Sequence, residues 1–215
     1  DRHTKESRPI EASDIAILAP SHTMLGRAAG SLRDNGIEAQ IKQDGWFSSR
    51  IIQLAFYALS YLANPSDKHA ALYLLVTELG DMSLQSALNM YLKEKKFTHP
   101  LIEKVDKIRE ETHTLTLSRQ LINMVEAFEL WDYILKYDES SQQRANLLKL
   151  VDKCSEFESL QFESLNALGI YGRNLNSFLS WLSMNESDSQ PTPKSINTEA
   201  VHLLTWHASK GLEWP

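Results

Sequence analysis

One cysteine, Cys154, stands among 215 residues. A lone cysteine excludes a disulfide framework, a cysteine-rich zinc module and an iron–sulfur site. Such sparse usage suits a reducing, cytoplasmic compartment. No apolar run approaches the roughly 20 residues that span a bilayer, so no membrane partner is expected. Asp1–Ser13 is polar and charged and lacks the apolar core of a secretory leader. Positive charge is in deficit, with 22 Lys and Arg against 28 Asp and Glu and a net charge of −6. That balance argues against a stand-alone nucleic-acid binder, which is normally basic.

The usual catalytic signatures are missing too. The seven histidines are scattered, without a zincin-like pair. Nucleophile elbow, Gly-x-Gly-x-x-Gly and Walker A patterns are all absent from these residues. No Asp…Glu-x-Lys nuclease cluster is visible. Acidic pairs such as Glu110-Glu111 and Asp138-Glu139 fall on polar helix faces or at helix ends. Cys154, near Leu150 and Phe157 at helical spacing, reads as a small core hydrophobe. We therefore expect no catalytic residue and no metal ligand here.

What remains is ordinary globular chemistry: 42% hydrophobic and 23% charged residues, enough for one large domain or two smaller ones. The chain opens without methionine and stops at Pro215 just past a glycine-centred motif, as an excised piece would. Asp14–Ala19 reads as a buried strand. Ser21 or Thr23 caps a helix running to about Asn35, and Gly36 follows where a helix end wants positive φ. Ile37–Lys42 reads as a second strand. Strand, helix and strand in this order favour a parallel sheet. Helices are then expected over Ile51–Ala63, Asp67–Leu79, Ser83–Lys93, Pro100–Glu111, Ser118–Tyr137, Ser141–Phe162 and Asn174–Met184. Asn185–Asn197 reads as a linker, and Ala200–Trp206 resumes a strand. The fold class is thus mainly α with an α/β part: a partial parallel sheet interrupted by a helical insert.

One segment invites a ligand. In Thr205-Trp206-His207-Ala208-Ser209-Lys210-Gly211-Leu212-Glu213-Trp214-Pro215 a strand runs into a turn rich in hydroxyl, amide and cationic donors. Open α/β sheets bind ligands at the carboxyl ends of their strands. Thr205, Ser209 and the backbone around Gly211 could grip phosphate oxygens, with Lys210 as a point charge. An ordinary polar turn is the competing reading.

AVHLLTWHASKGLEWP resembles motif V of UvrD/Rep-type superfamily 1 DNA helicases, a strand followed by Thr-x-His-x-Ser/Ala-Lys-Gly-Leu-Glu-aromatic. DIAILAPSHTMLGRAAGSLRDNGIEAQIK is similar to the opening of their second motor domain, and WFSSRIIQLAFYALSYLANPSDKHAALYLL to the block after it. QQRANLLKLVDKCSEFE resembles a helix in the insert of the AddA/RecB helicase–nuclease branch. The resemblance implies a RecA-like motor domain, 2A, over residues 1–80 and 197–215, interrupted by a helical domain, 2B, over 81–196. It implies DNA-backbone roles for Thr205, His207 and Ser209, and a nucleotide-side role for Lys210, Gly211 and Glu213. Arg50 would brace that turn or contact DNA, unless it is a surface ion-pairing arginine. Trp46, Phe47 and Trp214 either stack on bases or fill core.

By resemblance the parent is an ATP-dependent helicase, or a helicase–nuclease with exonuclease activity, in DNA repair or recombination. ATP and Mg2+ would serve the full-length protein, with none expected on these residues alone. Its partners would be single-stranded DNA, motor domains 1A and 1B, and a nuclease domain or partner subunit. Walker A, Walker B and the arginine finger belong to other segments in that family, so this piece alone is expected to hydrolyse no ATP. Gly80-Asp81-Met82-Ser83 departs from the Gly-Ile-Gly turn that such helicases use near duplex DNA. That departure and the acidic stretch 138–188 point away from duplex contact. The alternative reading is a non-catalytic helical interaction module with a relic motif V.

Overall fold

A computed structural model describes residues 8–41, 45–136, 140–184, 190–191 and 199–210. The chain forms two compact units, one of Asp1–Trp46 with Asp188–Pro215 and one of Phe47–Ser187.

The first unit begins with a single 3-10 turn, Ala12–Asp14, where a strand was expected to start. Glu11 and Asp14 cap each other across the turn, and Arg8 Nη2 pairs with Asp14 Oδ1 at 2.6 Å. Strand β1 therefore starts two residues late, at Ala16–Ala19. Ser21 caps helix α1, His22–Asp34, by accepting the Met24 amide at 3.4 Å. Gly36 does adopt positive φ, +72°, and Ile37 N reaches back to Leu32 O at 2.9 Å, closing the helix as a left-handed cap does. Strand β2 covers Ala39–Ile41, shorter than expected; Lys42 lies outside the described residues.

The third strand, β3 (Val201–Thr205), lies between the other two, giving the order β1-β3-β2 with both pairings parallel. Ala16 faces His202 and Ala39 faces Val201 in register. Ala19, Leu25, Ala29, Val201 and Leu203 form the buried core between α1 and one face of this sheet.

The second unit is helical. Its helices are α2 (Arg50–Ala63), α3 (Lys68–Val76), α4 (Leu84–Glu94), α5 (Pro100–Thr112), α6 (Leu117–Ala127), α7 (Leu130–Ile134), α8 (Ser140–Ser159), α9 (Phe162–Ala167) and α10 (Leu175–Met184). Helix α2 is apolar on most sides, with eight buried residues from Ile51 to Leu62. It packs against α3, α5, α6, α8 and α10, as a helix at the centre of a bundle must. Arg109 closes its C-terminal end, donating to the carbonyls of Leu62 at 2.8 Å and Tyr61 at 2.7 Å. The compact units divide at 46/47, where the resemblance implies a boundary at 80/81, because helices α2 and α3 pack with the helices that follow them.

Three expected helices end differently. The window 118–137 breaks at Phe128-Glu129, where Glu129 takes φ 52°. At roughly 100° per residue, a continuous helix would turn Leu130 and Ile134 away from Val125 and Phe128; the break buries all four. The window 141–162 stops at Ser159, where Arg173 donates to the Leu160 carbonyl, and a separate helix α9 follows. Helix α3 stops at Val76: Thr77 Oγ1 donates to Leu74 O at 2.7 Å, and Met82 N returns to Leu75 O at 3.0 Å. Cys154 is buried as expected, and burial pushes its thiol up to about 12.

Candidate nucleic-acid interface

The motif turn leaves the central strand at its carboxyl end. Trp206 N donates to Ala19 O at 3.2 Å and ties the turn to the end of β1. Thr205 then shapes the turn twice: its carbonyl accepts Ser209 N at 3.0 Å, and its Oγ1 accepts Ala208 N at 3.3 Å. Lys210 N closes onto His207 O at 3.3 Å. Ser209 Oγ donates to Trp206 O at 2.9 Å.

These bonds give the two hydroxyls different chemistry. Thr205 Oγ1 acts as an acceptor inside the turn and keeps its proton for an outside acceptor such as a phosphate oxygen. Ser209 spends its proton on the Trp206 carbonyl, so its hydroxyl offers lone pairs. Thr205 and Ser209 are half-buried, whereas His207 and Lys210 are exposed, and their side chains make no hydrogen bond or ion pair among the described residues. Thr205, His207, Ser209 and Lys210 thus share one turn. Gly211, Glu213 and Trp214 lie outside the described residues.

Arg50 belongs to the other unit, at the first turn of α2. A cation there opposes the positive end of the helix dipole, and Glu78, beyond the end of α3, offsets it through a direct ion pair. The Arg50 hydrogen bond holds the Glu78 carboxyl down at about 2, helped by hydrogen bonds from backbone and Tyr133 and opposed by desolvation. The ordinary carboxylate value is 4.5. A depressed folded-state pKa stabilises fully above the unfolded value, and the gain is lost as pH falls from there toward about 2. Both side chains are about half exposed, which keeps the contribution under about 1 kcal/mol. Arg50→Ala is expected to return the Glu78 titration toward its ordinary range. Carboxyl NMR during acid titration reads this directly, and an unmoved Glu78 resonance midpoint would refute the pairing.

Of the aromatic candidates, Trp46 is fully buried and Phe47 nearly so. Phe47 packs edge-on against Phe56 at 5.1 Å. Both are core residues. The exposed ring at the turn is Trp206, which the sequence alone did not single out: it is 62% exposed. Its only signal was position, one residue past the strand between a threonine and a histidine. Gly80 sits directly against the Leu75 backbone in a tight reversal. Among the described residues no group of three or more His, Cys, Asp or Glu could hold a metal, and no helix is long and apolar enough to cross a membrane.

Among the described residues, then, the central strand of a three-stranded parallel sheet ends in this turn, and the other regular elements are mainly helical. The chain belongs to the UvrD-like helicase C-terminal domain family, whose profile spans residues 2–215. Its curated relatives include an ATP-dependent helicase/nuclease subunit of Leuconostoc mesenteroides, 24% identical over 97% of this chain and 18% of that protein. The protein of the same name from Enterococcus faecalis is 27% identical over 100% of this chain and 18% of its own length. That of Lactobacillus johnsonii is 24% identical over 100% and 19%. The chain thus spans about a fifth of the length of these relatives.

Proposed function

We propose that these residues are part of an ATP-dependent DNA helicase, or helicase–nuclease subunit, with a role in DNA repair or recombination in the cytoplasm. In this reading residues 1–80 and 197–215 belong to motor domain 2A and residues 81–196 form the insert 2B. Their task is to couple ATP binding to movement along single-stranded DNA. Motor domains 1A and 1B complete the ATP cleft. The ATP phosphates and Mg2+ would be held by segments outside these 215 residues, so these residues alone hydrolyse no ATP.

The observation that carries the reading is the Thr205–Lys210 turn. The Thr205 hydroxyl proton, the His207 ring and the Lys210 ammonium suit successive phosphate oxygens, while Ser209 and the backbone bonds hold the turn's shape. Gly211 and Glu213 would continue toward the nucleotide. Closure of two motor domains on ATP would move such a turn as a unit. Arg50, engaged with Glu78, fits the role of a surface ion-pairing arginine better than a DNA contact. Leu84, Leu88 and Leu92, spaced by four along α4 and all exposed, support a protein-contacting role for the helical part.

Titration of labelled single-stranded DNA into the intact protein tests the turn. Lys210→Ala is expected to weaken binding roughly fivefold at low salt. It should also flatten the salt dependence by about 0.7 of a log unit per log unit of salt, the share of one phosphate contact on a single strand. Binding that ignores both Lys210→Ala and added salt would sink the reading.

A further inference from the structure

We propose that Trp206 is a stacking platform for an unpaired nucleobase. The inference deepens the single-strand reading of the same turn and rests on it. Trp46 and Trp181 are buried, but the Trp206 indole stands 62% exposed. It stands on a fixed frame. Its own N–H is tied to Ala19 O at 3.2 Å, and its carbonyl takes the Ser209 hydroxyl at 2.9 Å. The ring is therefore presented at a set place with little backbone order left to lose on binding.

Its neighbours decide what it meets. Thr205 stands before it, His207 directly after, and Lys210 four residues on, all offering donors that suit phosphate oxygens. Within the turn 207–210 the sole apolar side chain is the Ala208 methyl. A protein-covered tryptophan would sit among apolar neighbours; an aromatic ring interleaved with phosphate-seeking donors is the arrangement that single strands use, base on ring and backbone on cations. The base must be unpaired, because a ring face reaches only a base splayed out of its stack. Stacking of this kind tolerates any base, as a translocating strand requires.

The test separates base from backbone. Intact protein is titrated with fluorescein-labelled oligo(dT) and with an oligomer of equal length in which abasic sites replace the thymidines. Trp206→Ala is expected to weaken oligo(dT) binding about tenfold, leave the abasic oligomer unaffected, and keep the salt slope unchanged. Trp206→Phe should retain most of the affinity and Trp206→Leu should not. Equal loss on both oligomers, full rescue by leucine, or no loss at all overturns the proposal. If Lys210→Ala weakens oligo(dT) while Trp206→Ala does not, the groove stands and the stacking role falls. If neither variant nor salt changes binding, both fall together. Trp206 is exposed, so the fold is not at stake, and unchanged far-ultraviolet circular dichroism verifies that for each variant.

Discussion

Replacing Phe157 with alanine is expected to destabilise the helical unit by about 4 kcal/mol. Phe157 lies on α8 and is fully buried. Its ring centroid is 5.6 Å from Phe178 and 5.6 Å from Trp181, both on α10. Lys153 also lies over Trp181, its ammonium 5.3 Å from the ring centre. Three large rings held by two helices cannot collapse into the space that one of them vacates. The loss is therefore the transfer free energy of the ring plus most of the cavity penalty. Small domains hold only about 5–15 kcal/mol in total, so urea denaturation should show the variant unfolding at a far lower midpoint. Phe157→Leu should lose less than half as much. A loss under about 1 kcal/mol for the alanine variant would mean that the α8–α10 contact is not packed as described.

Gly80→Ala is expected to cost about 3 kcal/mol for a different reason. A Cβ at Gly80 would lie 2.5 Å from both Cα and O of Leu75 and 2.8 Å from its carbonyl carbon. All three are backbone atoms, so no side-chain rotation relieves the clash. The chain reverses here through Asp81 N to Thr77 O at 2.8 Å and Met82 N to Leu75 O at 3.0 Å. Moving Gly80 outward breaks those bonds and frays the end of α3. Hydrogen exchange at Asp81 and Met82 should accelerate along with the drop in stability. Gly26→Ala is the control. Gly26 lies within α1 with nothing within 4 Å of its added Cβ, and there alanine should be stabilising by roughly 0.5–1 kcal/mol. Equal behaviour of the two variants would refute the close approach at Gly80.

Local features were legible because their causes are local. Ser21, Asp67 and Pro100 open helices as their side-chain chemistry dictates, and Gly36 closes one. The motif turn was legible for the same reason: threonine, serine and the backbone build it within six residues. Features set by distant partners were not legible. That β3 lies between β1 and β2 depends on pairing across the whole helical unit. The break at Glu129 follows from where the core lies, which helical periodicity alone does not reveal. The sequence suited Arg50 equally to the turn or DNA and to a surface ion pair; its ion-pair partner, Glu78, is 28 residues away and meets it only in the fold. Trp206 escaped notice because a tryptophan next to a strand usually packs inward.

The strand order has a consequence for how the chain comes into being. Of the three described strands, the middle one is the last to be synthesised. When β1 and β2 emerge from the ribosome, the strand that joins them does not yet exist, and they wait for it through the synthesis of every helix from α2 to α10. Pairing then closes a chain loop from Ile41 to Val201, a non-local step that is intrinsically slow. Until Val201–Thr205 arrives, the edges of β1 and β2 that it will cover stay open to any other chain nearby. The residues that form the turn therefore also set the clock for assembly: the three-stranded sheet and the turn that leaves it appear together, once β3 has been made.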